Sequence, residues 1–188
     1  DQAKINWDQL AESTAILVRF LDNVVTWNED LNALEKQRIA ASETRRLGLG
    51  IMGVADMLNQ LGVSYDSKEG IDIITRVMEF ITNAAYQASA SLAGEKGASP
   101  IYSEDEYMEC PFLEAALSQE TQTSIRENGI RNIAIMSIAP TGSISNIVSS
   151  RFGRIFFIVA WLFFPILLFV LAQSLTEVSI ICLLYTSP

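Results

Sequence analysis

The feature that most limits how this chain can fold is its run of long one-faced helical patterns separated by very short apolar runs. In "SKEGIDIITRVMEFITNAAYQASASLAGEKG", Ile71, Ile74, Val77, Met78, Ile81, Ala84, Ala85 and Ala88 recur at helical spacing, Gly97 ends the pattern, and Pro100 blocks its continuation. A second helix is predicted over Asn6–Trp27, with a stripe of Trp7, Leu10, Thr14, Leu17, Val18, Leu21, Val24 and Val25. Asn6 is its expected N-cap, with Gln9 as the capping-box partner three residues on. "VADMLNQLG" reads as a short helix stopped by Gly62. "SEDEYMECPFLEAAL" and "SQETQTSIRENG" read as short acidic helices. The apolar runs "TRRLGLGIMG" and "IAIMSI" read as strands. Helices alternating with short strands predict an α/β fold.

Composition narrows the chemistry. The chain has 188 residues and a formal net charge of −9, from 22 acidic and 13 basic residues. With no basic cluster, nucleic-acid binding is not expected, and an anionic ligand has to be held locally by backbone N–H groups. Histidine is absent, which removes histidine triads, the common zinc sites and the usual general base near neutral pH. The two cysteines, Cys110 and Cys182, are far apart and form no CxxC, so a reducing, cytoplasmic setting is expected. Cys110 precedes Pro111 at a helix start, where a thiolate is favoured, but Glu104, Asp105, Glu106 and Glu109 oppose it, and a partly buried, unreactive thiol is expected.

At residue 151 the chain changes character. Residues 1–150 have the pattern of a soluble protein, whereas Ile155 to Ala172 carry no charged or strongly polar side chain. That run is long enough for a membrane span, with Arg151 and Arg154 on one flank. The change is abrupt, has no linker, and falls just after a loop with functional character. Residues 151–188 are therefore expected to be a non-native tail, from a frameshift or a chimeric end. A membrane segment and a buried helix are the alternatives. The opening "DQAKINWDQL" runs straight into a helix, and an internal piece of a longer protein is expected.

Two motifs carry candidate chemistry. "GLGIMG" (Gly48 to Gly53) satisfies GxGxxG, a pattern that brings backbone close to a pyrophosphate. Arg45 and Arg46 precede it, and Leu49, Ile51 and Met52 have a buried pattern, so a glycine-lined strand is the preferred reading. Arg45 and Arg46 could contact a phosphate, though pairing with carboxylates is expected. The second motif lies in "IAIMSIAPTGSISNIVSS", read as strand, tight turn and helix start. Thr141 or Ser143 could cap that helix, or N–H groups from Gly142 to Ser145 could cradle an anion. Caps and phosphate sites use the same physics, and the residues alone leave both open.

Taken together, "RRLGLGIMGVADMLNQLGVSYDS" and, about 80 residues later, "IAPTGSISNI" resemble the catalytic subunit of ribonucleotide reductase. The closer likeness is to the adenosylcobalamin-dependent class, and "LAGEKGASP" fits the family's LAxERG pattern between the two. The resemblance covers about residues 3–148 and rests on both motifs, their order and their spacing. It implies part of a ten-stranded α/β barrel, the domain of residues 1–150. It also implies that Pro140, Thr141, Gly142, Ser143 and Ile144 hold the phosphates of a ribonucleotide substrate. The implied reaction is radical reduction of the ribose 2′-OH, yielding deoxyribonucleotides for DNA synthesis. Adenosylcobalamin is the implied cofactor and a thiol reductant such as thioredoxin the implied partner. The oxygen-dependent class of the same enzyme is one alternative, and a membrane-anchored phosphate-ligand binding module is another. The family's N-x-C-x-E radical motif is not in this sequence, no catalytic residue is assigned, and the chain alone is expected to be inactive.

Overall fold

A computed structural model describes residues 4–29, 31–142, 144 and, as backbone, 182–184. The described residues form seven helices: α1 (Trp7–Asn28), α2 (Glu35–Thr44), α3 (Val54–Leu61), α4 (Lys68–Lys96), α5 (Glu104–Met108), α6 (Pro111–Ala116) and α7 (Gln119–Asn128). The two strands are short: β1 (Leu49–Ile51) and β2 (Cys182–Leu184). The expected N-terminal capping box is present. The Asn6 side chain accepts from the Gln9 N–H at 3.1 Å, and the Asn6 amide donates back to the Gln9 side chain. Ser67 caps α4 in the same manner, its hydroxyl accepting from the Gly70 N–H at 3.0 Å.

Packing follows the stripes, with two revisions. On α1 the buried residues are Leu10, Thr14, Val18, Leu21, Asp22 and Val25, so a carboxylate sits on the apolar face. On α4 the predicted Ile71 is exposed, and burial shifts toward the C-terminal half, through Val77, Ile81, Ala85, Ser89, Ala90, Leu92 and Ala93. The small side chains there let α1 lie close along α4. One apolar cluster joins α1, α4, α6 and α7 around Leu21, Leu92, Leu113, Ile125 and Ile135. A second joins the starts of α1 and α4 to β1 and α3 around Leu10, Ile51, Leu58 and Ile81. Met136 packs against both. The outward face of α1 leaves Ile16, Phe20 and Trp27 exposed.

The described residues are helix-rich and close no barrel, a narrower result than the α/β barrel the sequence suggests. Of the two expected strands, the first is β1. The second is an extended segment joined to it by a single parallel bridge, Leu49 to Met136. The bonds run from Leu47 N–H to Ala134 O (2.8 Å), from Leu49 N–H to Ile135 O (2.8 Å) and from Ser137 N–H to Leu49 O (2.9 Å). Since Leu49 spends both backbone groups on that edge, β2 lies on the other, antiparallel, with Leu49 opposite Leu184 and Ile51 opposite Cys182. A parallel pair buried under helices is the unit from which α/β sheets are built, and a closed barrel needs more strands than these. The long apolar run Ile155 to Ala172 lies outside the described residues, and among those described no helix is long and apolar enough to cross a membrane.

Gly50 shows why this pairing demands glycine. A Cβ there would lie 2.6 Å from the Ser137 carbonyl oxygen, on backbone that cannot swing aside. Gly50→Ala is therefore expected to force β1 and the 134–137 segment apart and to cost about 1–3 kcal/mol, as overpacking does. Urea unfolding followed by circular dichroism measures this, with Gly142→Ala, where a Cβ meets nothing within 4 Å among the described residues, as the permissive comparison.

Candidate functional site

The two sequence motifs meet in space, but not as a dinucleotide site. Leu49, Ile51 and Met52 are buried, and Gly53 turns the chain at a left-handed φ of 81° to start α3. The glycines thus serve a buried strand and the turn after it, as preferred from the sequence. Cys110 precedes α6 and is exposed, where a partly buried thiol was expected, because Pro111 starts a short surface helix. Among the described residues, no group of Cys, Asp and Glu side chains is placed to hold a metal ion.

The loop leaves the extended segment after Ser137. Pro140 and Gly142 are exposed, Thr141 is half-buried, and Ile144 is half-buried in a short helical turn. Ser143 and the expected helix beyond the loop lie outside the described residues. Thr141 has φ 57°. A β-branched residue in the left-handed region is a true outlier, and such conformations persist only where the surroundings hold them. Its effect is to turn the backbone sharply just before Gly142. Successive N–H groups that change hand in this way form concavities suited to anions.

What holds the approach to this loop is a buried ionic hub that the sequence did not disclose. Asp22 is fully buried. Its carboxylate accepts from Arg45 Nε (3.0 Å), Arg131 Nε (3.1 Å), Lys96 Nζ (3.1 Å) and Asn132 Nδ2 (3.2 Å). Arg45 also donates to the Asp22 carbonyl, to Thr26 and to Glu29, and it ends α2 in a left-handed conformation at φ 47°. So Arg45 pairs with carboxylates, as expected, while Arg46 is exposed. Arg131 reaches the carbonyls of Lys96 and Gly97 at the end of α4. The hub ties α1, the end of α2, the end of α4 and the start of the loop-bearing segment together.

Burial alone would push the Asp22 carboxyl up. The Arg45 guanidinium and the hydrogen bonds from Arg131 and Arg45 outweigh that and hold it below the usual carboxylate range. The segment is pinned from another side by Tyr107, whose hydroxyl donates to the Ile133 carbonyl at 3.2 Å. Burial pushes that phenol up, so it stays a protonated donor. The signal for Asp22 was present in the sequence as a charge four residues after Val18, on the apolar stripe of α1. Nothing in the sequence named its partners, which come from positions up to 110 residues away.

Comparison with known proteins gives a consistent result. The family described as "Ribonucleotide reductase, barrel domain" matches residues 1–153. A vitamin B12-dependent ribonucleoside-diphosphate reductase of Mycobacterium tuberculosis is 36% identical over 152 residues, covering 80% of this chain and 19% of that protein. The protein of the same name from Thermoplasma acidophilum is 36% identical over 147 residues, covering 77% of this chain and 16% of that one. The ribonucleoside-diphosphate reductase subunit alpha of Helicobacter pylori is 32% identical over 169 residues, covering 79% and 21%. This chain thus spans about a fifth of the length of these relatives.

The hub makes a prediction about acid. Asp22 has a lowered pKa in the folded state, so its contribution is present above the unfolded value of about 3.9 and is lost as pH falls through the folded value. Asp22→Asn is expected to cost about 3–5 kcal/mol at neutral pH, because three cations lose their buried counter-charge. The cost is expected to shrink below pH ~4. Urea midpoints of the two proteins from pH 7 to pH 3 measure this, and curves that stay parallel would contradict it.

Proposed function

This chain belongs to the ribonucleotide reductase barrel-domain family, and on that premise we propose that it is part of a ribonucleotide reductase catalytic subunit. Its share of the work is to supply the loop that binds the substrate's phosphates. The complete protein reduces ribonucleotides to deoxyribonucleotides for DNA synthesis. The named relatives are ribonucleoside-diphosphate reductases, which favours a ribonucleoside diphosphate as substrate; the reductant we assign, a thiol such as thioredoxin, follows from the family resemblance alone. Residues 1–150 are the reductase portion, and residues 151–188 are not native to it. On this reading the protein works in the cytoplasm.

The observation that carries the reading is the left-handed Thr141 at the end of a pinned segment, directly before an exposed glycine. Strain of this kind in a surface loop needs a reason, and a ligand held by backbone supplies one. Pro140 fixes the entry to the turn. Thr141 reverses the backbone, Gly142 gives a phosphate oxygen room to approach, and N–H groups from Gly142 to Ile144 donate to it. The Thr141 and Ser143 hydroxyls add donors. A net charge of −9 makes such local, short-range binding necessary, since the chain offers an anion no attractive long-range field. These residues bind and orient the substrate, and bond-breaking at the ribose belongs to groups outside this chain.

Adenosylcobalamin fits the vitamin B12-dependent names of two relatives. The cofactor is assigned to the complete protein, and no step of this chain runs through it. The Helicobacter relative lacks the B12 label, which keeps the oxygen-dependent class as the second reading. Titration of the complete protein with adenosylcobalamin separates the two.

In the complete enzyme, Gly142→Val is expected to raise KM for a ribonucleoside diphosphate at least about tenfold with little change in kcat, since it removes binding shared by ground and transition states. Thr14→Ala, in the α1–α4 core, is expected to leave KM unchanged. Steady-state kinetics checks both, and an unchanged KM in Gly142→Val would refute the loop assignment.

A further inference from the structure

We propose that Asn132 is a positioning residue for the loop Pro140–Ile144, fixing the register of the segment that delivers the loop to the substrate. This inference rests on the phosphate-loop reading and adds a residue eight positions away that touches no ligand.

Asn132 is fully buried, and each of its polar side-chain atoms is used. Its Nδ2 donates to Asp22 Oδ1 (3.2 Å) and to the Arg45 carbonyl (3.0 Å). Its Oδ1 accepts from the Ser89 hydroxyl (2.8 Å), and its own N–H donates back to that hydroxyl (3.0 Å). One side chain thus reads α1, the turn before β1 and the middle of α4 at once. From there the backbone is stitched onward, with the Ile133 N–H to Thr44 O, Leu47 N–H to Ala134 O, Leu49 N–H to Ile135 O, and Ser137 N–H to Leu49 O. Pro140 follows three residues after the last of these.

A ladder this short does not choose its own register. Sliding it by one residue exchanges the two faces of the segment but preserves most backbone bonds. What forbids the slide is the carboxamide. Moved by one position, it would leave Asp22, Ser89 and the Arg45 carbonyl each short of a partner in a buried setting. Gly50 against the Ser137 carbonyl is the second pin, farther along. Between them the segment has one allowed position, and Thr141 inherits it.

The test uses the complete reductase and a double-mutant cycle. Asn132→Leu removes the bonds at similar volume, and is expected to raise KM for a ribonucleoside diphosphate roughly tenfold while kcat stays within about twofold. The combined Asn132→Leu, Gly142→Val protein is expected to show the KM of Gly142→Val alone, because both act through one loop. Ser89→Ala, the smaller change, is expected to show the same split at about threefold, and it decides the matter if Asn132→Leu does not accumulate as folded protein by circular dichroism. Multiplying KM effects in the double variant, or a loss confined to kcat, would overturn the proposal. An unchanged KM in Gly142→Val alone would instead overturn the phosphate-loop reading beneath it, so the two failures are distinguishable.

Discussion

A single carboxylate, Asp22, organises the polar interior on which the rest depends. Buried without partners it would be too costly to keep charged, so its burial dictates where Arg45, Lys96, Arg131 and Asn132 must converge. Those four residues come from the end of α2, the end of α4 and the segment after α7. The apolar clusters supply most of the driving force for packing α1 on α4, but they are indifferent to small slides. The hub is not, because hydrogen bonds fail within a fraction of an ångström where apolar contacts adjust.

This division of labour explains how a strained loop is tolerated. Thr141 sits in a conformation that β-branched residues avoid, and the penalty has to be met by structure that leaves no easier path. The segment before it is bonded to β1, to Thr44 at the end of α2 and to Tyr107, and Met136 packs against both apolar clusters. Ser137, the last residue before the loop to be bonded into β1, is held by the Leu49 carbonyl and abuts Gly50.

Local chemistry was readable from the sequence wherever it acted over a few residues. The capping box at Asn6 and Gln9, the stop at Gly62 and the helical stripes of α1 and α4 were all visible, because each is decided within one or two turns. The close-approach role of the Gly48–Gly53 run was also legible, and Gly50 bears it out. Longer-range features were not. Ile71 has the right spacing for the core but lies before the stretch where α1 and α7 cover α4. The 133–138 run has strand composition but finds one bridge, since strands are completed by neighbours. The hub escaped as a unit: Asp22 stood out only as a charge on the apolar stripe of α1 and Arg45 only as a cation expected to find a carboxylate, while Arg131 and Asn132 look like ordinary surface residues until the fold brings them together. For the loop, the expected tight turn is seen at Gly142, and the left-handed residue is Thr141, where a glycine would be the usual choice.

The functional reading stands or falls on whether backbone N–H groups of this loop hold a substrate phosphate. A structure of the complete reductase with a ribonucleoside diphosphate bound tests it most directly. Phosphate oxygens are expected within about 2.7–3.2 Å of the N–H groups of Gly142 to Ile144, with Thr141 still left-handed and Asn132 still joined to Asp22. A phosphate bound elsewhere, with the loop unaltered and turned away from it, would rule out this role for the loop.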